Sequence, residues 1–268
     1  MKKTVHSFSQ SIGIHPETIR YYRQSGLIFP QIQPNGFYEY DINEAMITLL
    51  VREMKAYGWN LSTIKDYMNG QKLGDLHCSL QIQEAALRKQ IRLAELKLAR
   101  IQETQAYLES GLRLTGKVEE FDGPATWAIP FTNGQSDFRK KTNLDQWNEH
   151  FPFVYTSVTI PLPLLQDEDT LVYQGYCGLG ALIHYVEEFK LPVDDTCFFQ
   201  PGGHFIRTCI TTKSVHQIHV HDLFILKEYA KTHHYRFASC TGGRVLLTQY
   251  AQKDPIFHLL VWIRVEPE

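Results

Sequence analysis

Ten positions at alternating steps of four and three constrain this chain more than any other feature: Leu80, Glu84, Leu87, Ile91, Ala94, Leu98, Ile101, Gln105, Leu108 and Leu112. Eight of the ten are apolar, and neither Gly nor Pro interrupts the run before Gly111. Such spacing keeps one narrow face of a helix apolar over more than four heptads, which suits a second helix lying against it. A helix packed only on its own domain needs a broader stripe. The seam therefore predicts dimerisation through Leu87, Ile91, Ala94, Leu98, Ile101 and Leu108.

The seam also divides the chain. Residues 1–116 carry 14 Lys and Arg against 11 Asp and Glu, a balance of +3, and residues 117–268 carry 13 against 18, a balance of −5. A basic front and an acidic back point to two jobs in one chain, a reading that supports nucleic-acid binding without establishing it. We divide it into residues 1–75, 76–116 and 117–268. With 43% apolar and 21% charged residues the composition is that of a globular protein. No apolar run has membrane-spanning length and the N-terminus lacks a signal-peptide core, so the chain is expected in the cytoplasm. Five scattered cysteines without a Cys-x-x-Cys pair argue for thiols rather than a disulfide framework.

The front segment reads as short helices and turns. A helix from Val5 to Ser11 stops at Gly13, and a second opens at Pro16-Glu17, where a missing N–H costs nothing and a carboxylate meets the positive helix end. His15 is a weaker cap for it than Ser or Asp. This second helix exposes Thr18, Arg20, Tyr21 and Arg23, and Gly26 ends it. The Asn35-Gly36 pair between β-formers predicts a hairpin. Asp41 with Glu44 forms a capping box for a helix ending at Gly58, and Asn60 caps one more, ending at Gly70. Helix, turn, helix and hairpin make a winged helix-turn-helix, whose second helix fits the major groove.

The run Ile14-His15-Pro16-Glu17-Thr18-Ile19-Arg20-Tyr21-Tyr22, with Gly26-Leu27-Ile28 and Pro30, resembles the signature of the MerR family of regulators. So do Asn35-Gly36-Phe37-Tyr38-Glu39-Tyr40-Asp41 and the segment from Tyr57 to Lys65. The resemblance implies a homodimer joined by an antiparallel coiled coil, bound with RNA polymerase at a promoter whose spacer is too long. Such regulators activate by distorting that spacer when an effector binds. On this basis Tyr22, Gly36, Tyr38, Tyr40 and Lys65 join Thr18, Arg20, Tyr21 and Arg23 as the DNA-binding set. The family's wing usually carries Arg where this chain has Tyr38.

Beyond Gly116 the texture becomes α+β, with strands such as Val154 to Ile160 and Val245 to Tyr250 and a helix near Leu223 to Lys231. This half holds 7 Tyr, 12 Phe and 3 Trp, enough for an aromatic cavity. It resembles a GyrI-like effector domain of the multidrug-binding MerR-type activators, through Pro201 to Phe205, the helix with Leu223, Leu226 and Tyr229, and the strand Leu260 to Val265. The resemblance places Tyr155 and Tyr173 where such proteins stack a drug, and Trp147, Tyr176, Glu187 and Phe205 complete the expected ligand-binding set. Overall acidity favours a lipophilic cation. Arg244 stands where those relatives carry Glu, so it either repels cations or pairs with Glu187 or Glu188, and a neutral or anionic aromatic effector stays open. A thiol or metal sensor, through the cysteines or through His219 and His221 on one face of a strand, is the alternative, and a hydrolase a further one. No cofactor, no metal and no catalytic residue is implied.

Overall fold

The computed structural model describes residues 3–70, 72–132, 138 and 143–268. They form two compact units, Met1–Leu93 and Ala94–Glu268, with one long helix contributing to each. Among the described residues no helix is long and apolar enough to cross a membrane.

The first unit is built on α1 (Val5–Ile12), α2 (Pro16–Gln24), α3 (Ile42–Ala56) and α4 (Leu61–Met68), with a small hairpin of β1 (Gln31–Ile32) and β2 (Tyr38–Glu39) after α2. Each start is chemically marked. Thr4 caps α1, the predicted Asp41–Glu44 capping box opens α3, and Asn60 Oδ1 accepts from Thr63 N–H at the head of α4. Each such cap stabilises by about 1 kcal/mol. Just past β2, Tyr40 forms a separate antiparallel bridge with Lys3, exchanging backbone bonds at 2.9 and 2.8 Å. Phe8, Ile19, Tyr22, Ile28, Tyr40, Val51 and Ile64 meet in the core.

Helix α5 runs without a break from Leu73 to Arg113, seven residues earlier than the first seam position. Leu87, Ile91, Ala94, Leu98, Ile101, Leu108 and Leu112 are all exposed along it, Ile91 at 58%. A second stripe on the same helix, Arg100, Glu103, Thr104, Tyr107 and Gly111, turns toward the sheet of the second unit; Arg100 is only 1% exposed.

Among the described residues that sheet is antiparallel, with eight strands in the order β3-β9-β12-β11-β5-β7-β4-β8. They are β3 (Glu119–Gly123), β4 (Thr126–Pro130), β5 (Val154–Thr159), β7 (Tyr176–Leu182), β8 (Phe198–Gln200), β9 (Gly203–Thr212), β11 (Tyr235–Ala251) and β12 (Asp254–Pro267). A separate ladder pairs β6 (Val172–Gln174) with β10 (Gln217–His219). Among the described residues the unit also has the helices α6 (Leu144–Asn148), α7 (Leu162–Gln166), α8 (Ile183–Phe189) and α9 (Phe224–Thr232). Alternation along the strands sorts side chains between two faces. Leu259, Val261, Ile263 and Val265 of β12 join Leu165 of α7 and Leu226 of α9 in one core, while Leu260 and Trp262 join Tyr155, Phe205, Leu114 and Cys209 in another. The second face is the one that receives α5.

Candidate functional site

In the first unit the α2 surface is set by helical spacing. Ile19 and Tyr22, three apart, point into the core, which leaves Thr18, Arg20, Tyr21 and Arg23 off the buried stripe. His15 does cap the helix, its Nδ1 accepting from Glu17 N–H at 3.3 Å. Arg20 pairs with Glu17 one turn back. The Arg23 guanidinium lies 3.8 Å from the centre of the Tyr38 ring, so the wing tyrosine serves as a platform that orients an α2 cation. Gly36 is exposed at the hairpin tip, and the Lys65 ammonium approaches Gly26 just past α2.

Tyr22 and Tyr40, expected at the DNA, are instead core residues. Both are buried, Tyr40 stacks on Phe8 with ring centres 4.8 Å apart, and burial pushes both phenols up. Tyr22 shares the inward stripe with Ile19, and Tyr40 follows the wing at the point where the chain turns into α3.

In the second unit the candidate site is an aromatic cluster over the sheet, bordered by two clefts. Two of its rings lie flat on cross-strand glycines. Tyr155 faces Gly180 in register, and a Cβ there would come within 2.7 Å of its ring. Trp262 faces Gly242, and a Cβ there would meet the indole at 2.1 Å. Bare backbone is therefore what lets these rings settle onto the sheet. The indole N–H donates to Gln200 Oε1 at 2.6 Å, and Gln200 Nε2 donates to the Cys240 carbonyl at 2.7 Å, which locks the ring in its plane. Phe205 closes the far side, stacked on Phe121 with centres 5.3 Å apart. A cleft runs between Tyr107, Phe121, Phe205, Leu260 and Trp262, and a second lies over Tyr155, Ser157, Gln200 and Gly243.

Two buried guanidinium groups pack against the tyrosine rings of these clefts. Arg100 donates from Nε to the Pro152 carbonyl at 2.8 Å and from Nη1 to Glu103 at 2.8 Å. Arg244, in β11, donates from Nη2 to Thr104 Oγ1 at 3.1 Å and lies over the rings of Tyr107 and Tyr155 at 4.8 and 5.3 Å. Burial, reinforced by the nearby Arg100 cation, pulls Arg244 down to about 10. Burial pushes the Tyr107 and Tyr155 phenols up, so both are neutral at physiological pH. Glu103 also accepts from the Tyr185 hydroxyl at 3.1 Å.

The expected ligand set is thus dispersed. Tyr155 and Phe205 come together in the aromatic cluster. Tyr173 sits with the core on the opposite face, because its strand β6 leaves the main sheet to pair with β10. Trp147 packs in a third cluster and donates to the Pro192 carbonyl at 2.8 Å, Tyr176 meets Phe198 edge-on, and Glu187 is exposed on α8. Arg244 takes Thr104, Tyr107 and Tyr155 as its neighbours rather than pairing with Glu187. Arg100, Glu103 and Tyr107 escaped the sequence reading; their signal was a second helical stripe beside the seam.

The histidine pair does not share a strand face. His219 ends β10, while His221 lies in the following 3₁₀ turn and pairs with Asp222 at 3.1 Å. Among the described residues no three His, Cys, Asp or Glu converge on a site for a metal ion.

No curated protein matches the chain. Among solved structures it is similar to the EcmrR–DNA complex in EcmrR-RPo, seen by cryo-electron microscopy, at 13% identity over 99% of this chain and 100% of that one, with a TM-score of 0.37. A MerR-family transcriptional regulator from Bacillus cereus aligns at 18% identity over 41% of this chain and 84% of its own, with a TM-score of 0.33. A hydrolase from Listeria innocua aligns at 10% identity over 57% of this chain and 93% of its own, with a TM-score of 0.32. The description "MerR HTH family regulatory protein" matches residues 3–71. Over that span the chain is a MerR-family helix-turn-helix domain.

Proposed function

We propose that this chain is a ligand-responsive transcription regulator. It binds promoter DNA as a homodimer, and it activates RNA polymerase there by distorting the promoter spacer when a lipophilic aromatic effector enters the second unit. The observation that carries the reading is the presence, on one chain, of a MerR-type helix-turn-helix and a separate unit with an aromatic cluster bordered by clefts. The exposed seam on α5 supports the dimer, since desolvating seven such side chains needs a partner helix.

Drug-like binding without catalysis fits this cluster better than thiol sensing does. Sensor cysteines are low-pKa and accessible. Here Cys177 and Cys209 are buried, and burial pushes Cys177 and Cys240 up to about 11. Rings line the first cleft beside the Arg207 guanidinium, and Arg244 stacks on Tyr107 and Tyr155, a surface suited to holding a flat molecule.

The test begins with an operator selected from random duplexes by the full-length protein. Arg20→Ala, which removes an α2 cation, is expected to weaken binding to that operator by about 1–3 kcal/mol. Fluorescence anisotropy across a salt titration measures it. An unchanged affinity and an unchanged salt slope would take α2 out of the interface.

A further inference from the structure

We propose that the second unit holds an anion site beside Tyr155, where Arg100 and Arg244 together hold the carboxylate of a flat aromatic acid. The inference rests on the ligand-sensing reading above and names the chemical class of the effector.

Both guanidinium groups carry an unpaired donor. Arg100 is 1% exposed and Arg244 9% exposed, and in each guanidinium one amino group, Nη2 of Arg100 and Nη1 of Arg244, has no hydrogen-bond partner. A buried donor without an acceptor costs more when it is charged than when it is neutral. The two guanidinium carbons lie 5.6 and 5.3 Å from the centre of the same Tyr155 ring, so both cations border one small volume. Glu103 is the one carboxylate bonded to either of them among the described residues, and it is already shared with Tyr185. Two cations against one carboxylate leave a surplus of one positive charge, away from water. A single oxyanion between them accepts from both open arms and cancels the surplus.

The surroundings give the rest of the ligand. Arg244 is held by Thr104 and stacked on Tyr107 and Tyr155, so its fork is oriented before anything binds. Tyr155, Phe205 and Trp262 supply flat apolar walls next to the charge. A cation in this place would face two like charges. The net acidity of residues 117–268 does not bear on the matter, because it is carried by side chains such as Asp122, Glu187 and Asp254, which are exposed to solvent.

The experiment uses the full-length protein and three probes that share one ring system, 2-naphthoate, 2-naphthylmethanol and 2-naphthylmethylammonium. Affinity is measured by calorimetry and checked by the shift in melting temperature. Wild type is expected to bind the carboxylate at least tenfold more tightly than the alcohol or the ammonium. Arg244→Gln is expected to lose about tenfold or more for naphthoate and little for the alcohol. Arg244→Lys, which keeps the charge but not the fork, gives a second reading should the first variant not fold, and is expected to lose part of that preference. Equal binding of naphthoate and alcohol by wild type, or naphthoate affinity unchanged in both variants, overturns the proposal. If the alcohol or the ammonium binds, depends on Tyr155 and outcompetes naphthoate, the cluster keeps its sensing role and only the anion assignment falls. If none of the three binds, the sensing reading fails, and the proposal with it.

Discussion

His204 sits between two carboxylates, with Nδ1 3.1 Å from Asp122 and Nε2 3.0 Å from Glu120. The Asp122 contact raises its pKa most, burial opposes it, and Glu120 adds to the rise, so the imidazolium is favoured in the folded state above the ordinary 6.5. A raised pKa stabilises fully below the unfolded value and loses that contribution as pH climbs through the folded one. His204→Gln is therefore expected to be less stable than wild type below about pH 6.5 and to match it in mildly alkaline buffer, where wild-type His204 is neutral too. Urea titrations at several pH values measure the gap. A gap that stays constant, or widens with pH, would remove the ionised pair from β3 and β9. The same bond pattern extends to Tyr229, whose hydroxyl donates to Glu120 at 2.8 Å, so α9 is tied to the sheet edge through one carboxylate.

Helix α5 carries two messages at once. Its exposed seam is expected to be the dimer contact, and Ile91→Glu with Leu98→Glu should place unpaired charges in it at a cost of several kcal/mol each. Light scattering on the double variant measures the outcome, and a dimer of undiminished affinity would mean that the seam has no helix against it. The seam was legible in the sequence because a narrow apolar repeat held over many turns suits little besides a second helix. The Arg100-Glu103-Thr104-Tyr107-Gly111 stripe was not legible, because polar residues at helical spacing look the same whether they face water or a cavity. Period also decides the tyrosines. The motif that identifies the first unit includes Tyr22 and Tyr40, but resemblance does not say which side of a helix or hairpin turns inward. Tyr155 and Tyr173 look alike as aromatic strand residues, and only the departure of β6 from the sheet, a long-range pairing, sends them to opposite faces. Fold class, the helix-turn-helix and the hairpin needed local signals and could be read. Which rings share a cavity depended on pairings between strands remote in sequence.

At the scale of the whole chain, two binding events are expected to respond differently to salt. Contact with phosphates releases counterions, so operator affinity should fall steeply between about 50 and 200 mM salt. An anion held by buried guanidinium groups is screened far less, and naphthoate affinity should change by no more than about threefold over the same range. Parallel titrations of one preparation compare the two, and equal slopes would place the ligand on the surface. The glycine shelves under Tyr155 and Trp262 have a consequence of another kind. The seat of each ring on the sheet is set by side chains that are absent, at Gly180 and Gly242. Any glycine codon becomes an alanine codon by a single-base change, so one mutational step can push a ring off the sheet while every aromatic residue is retained in the sequence. Divergence in what such a chain detects can therefore begin at positions that touch no effector and that a comparison of cavity-lining residues would pass over.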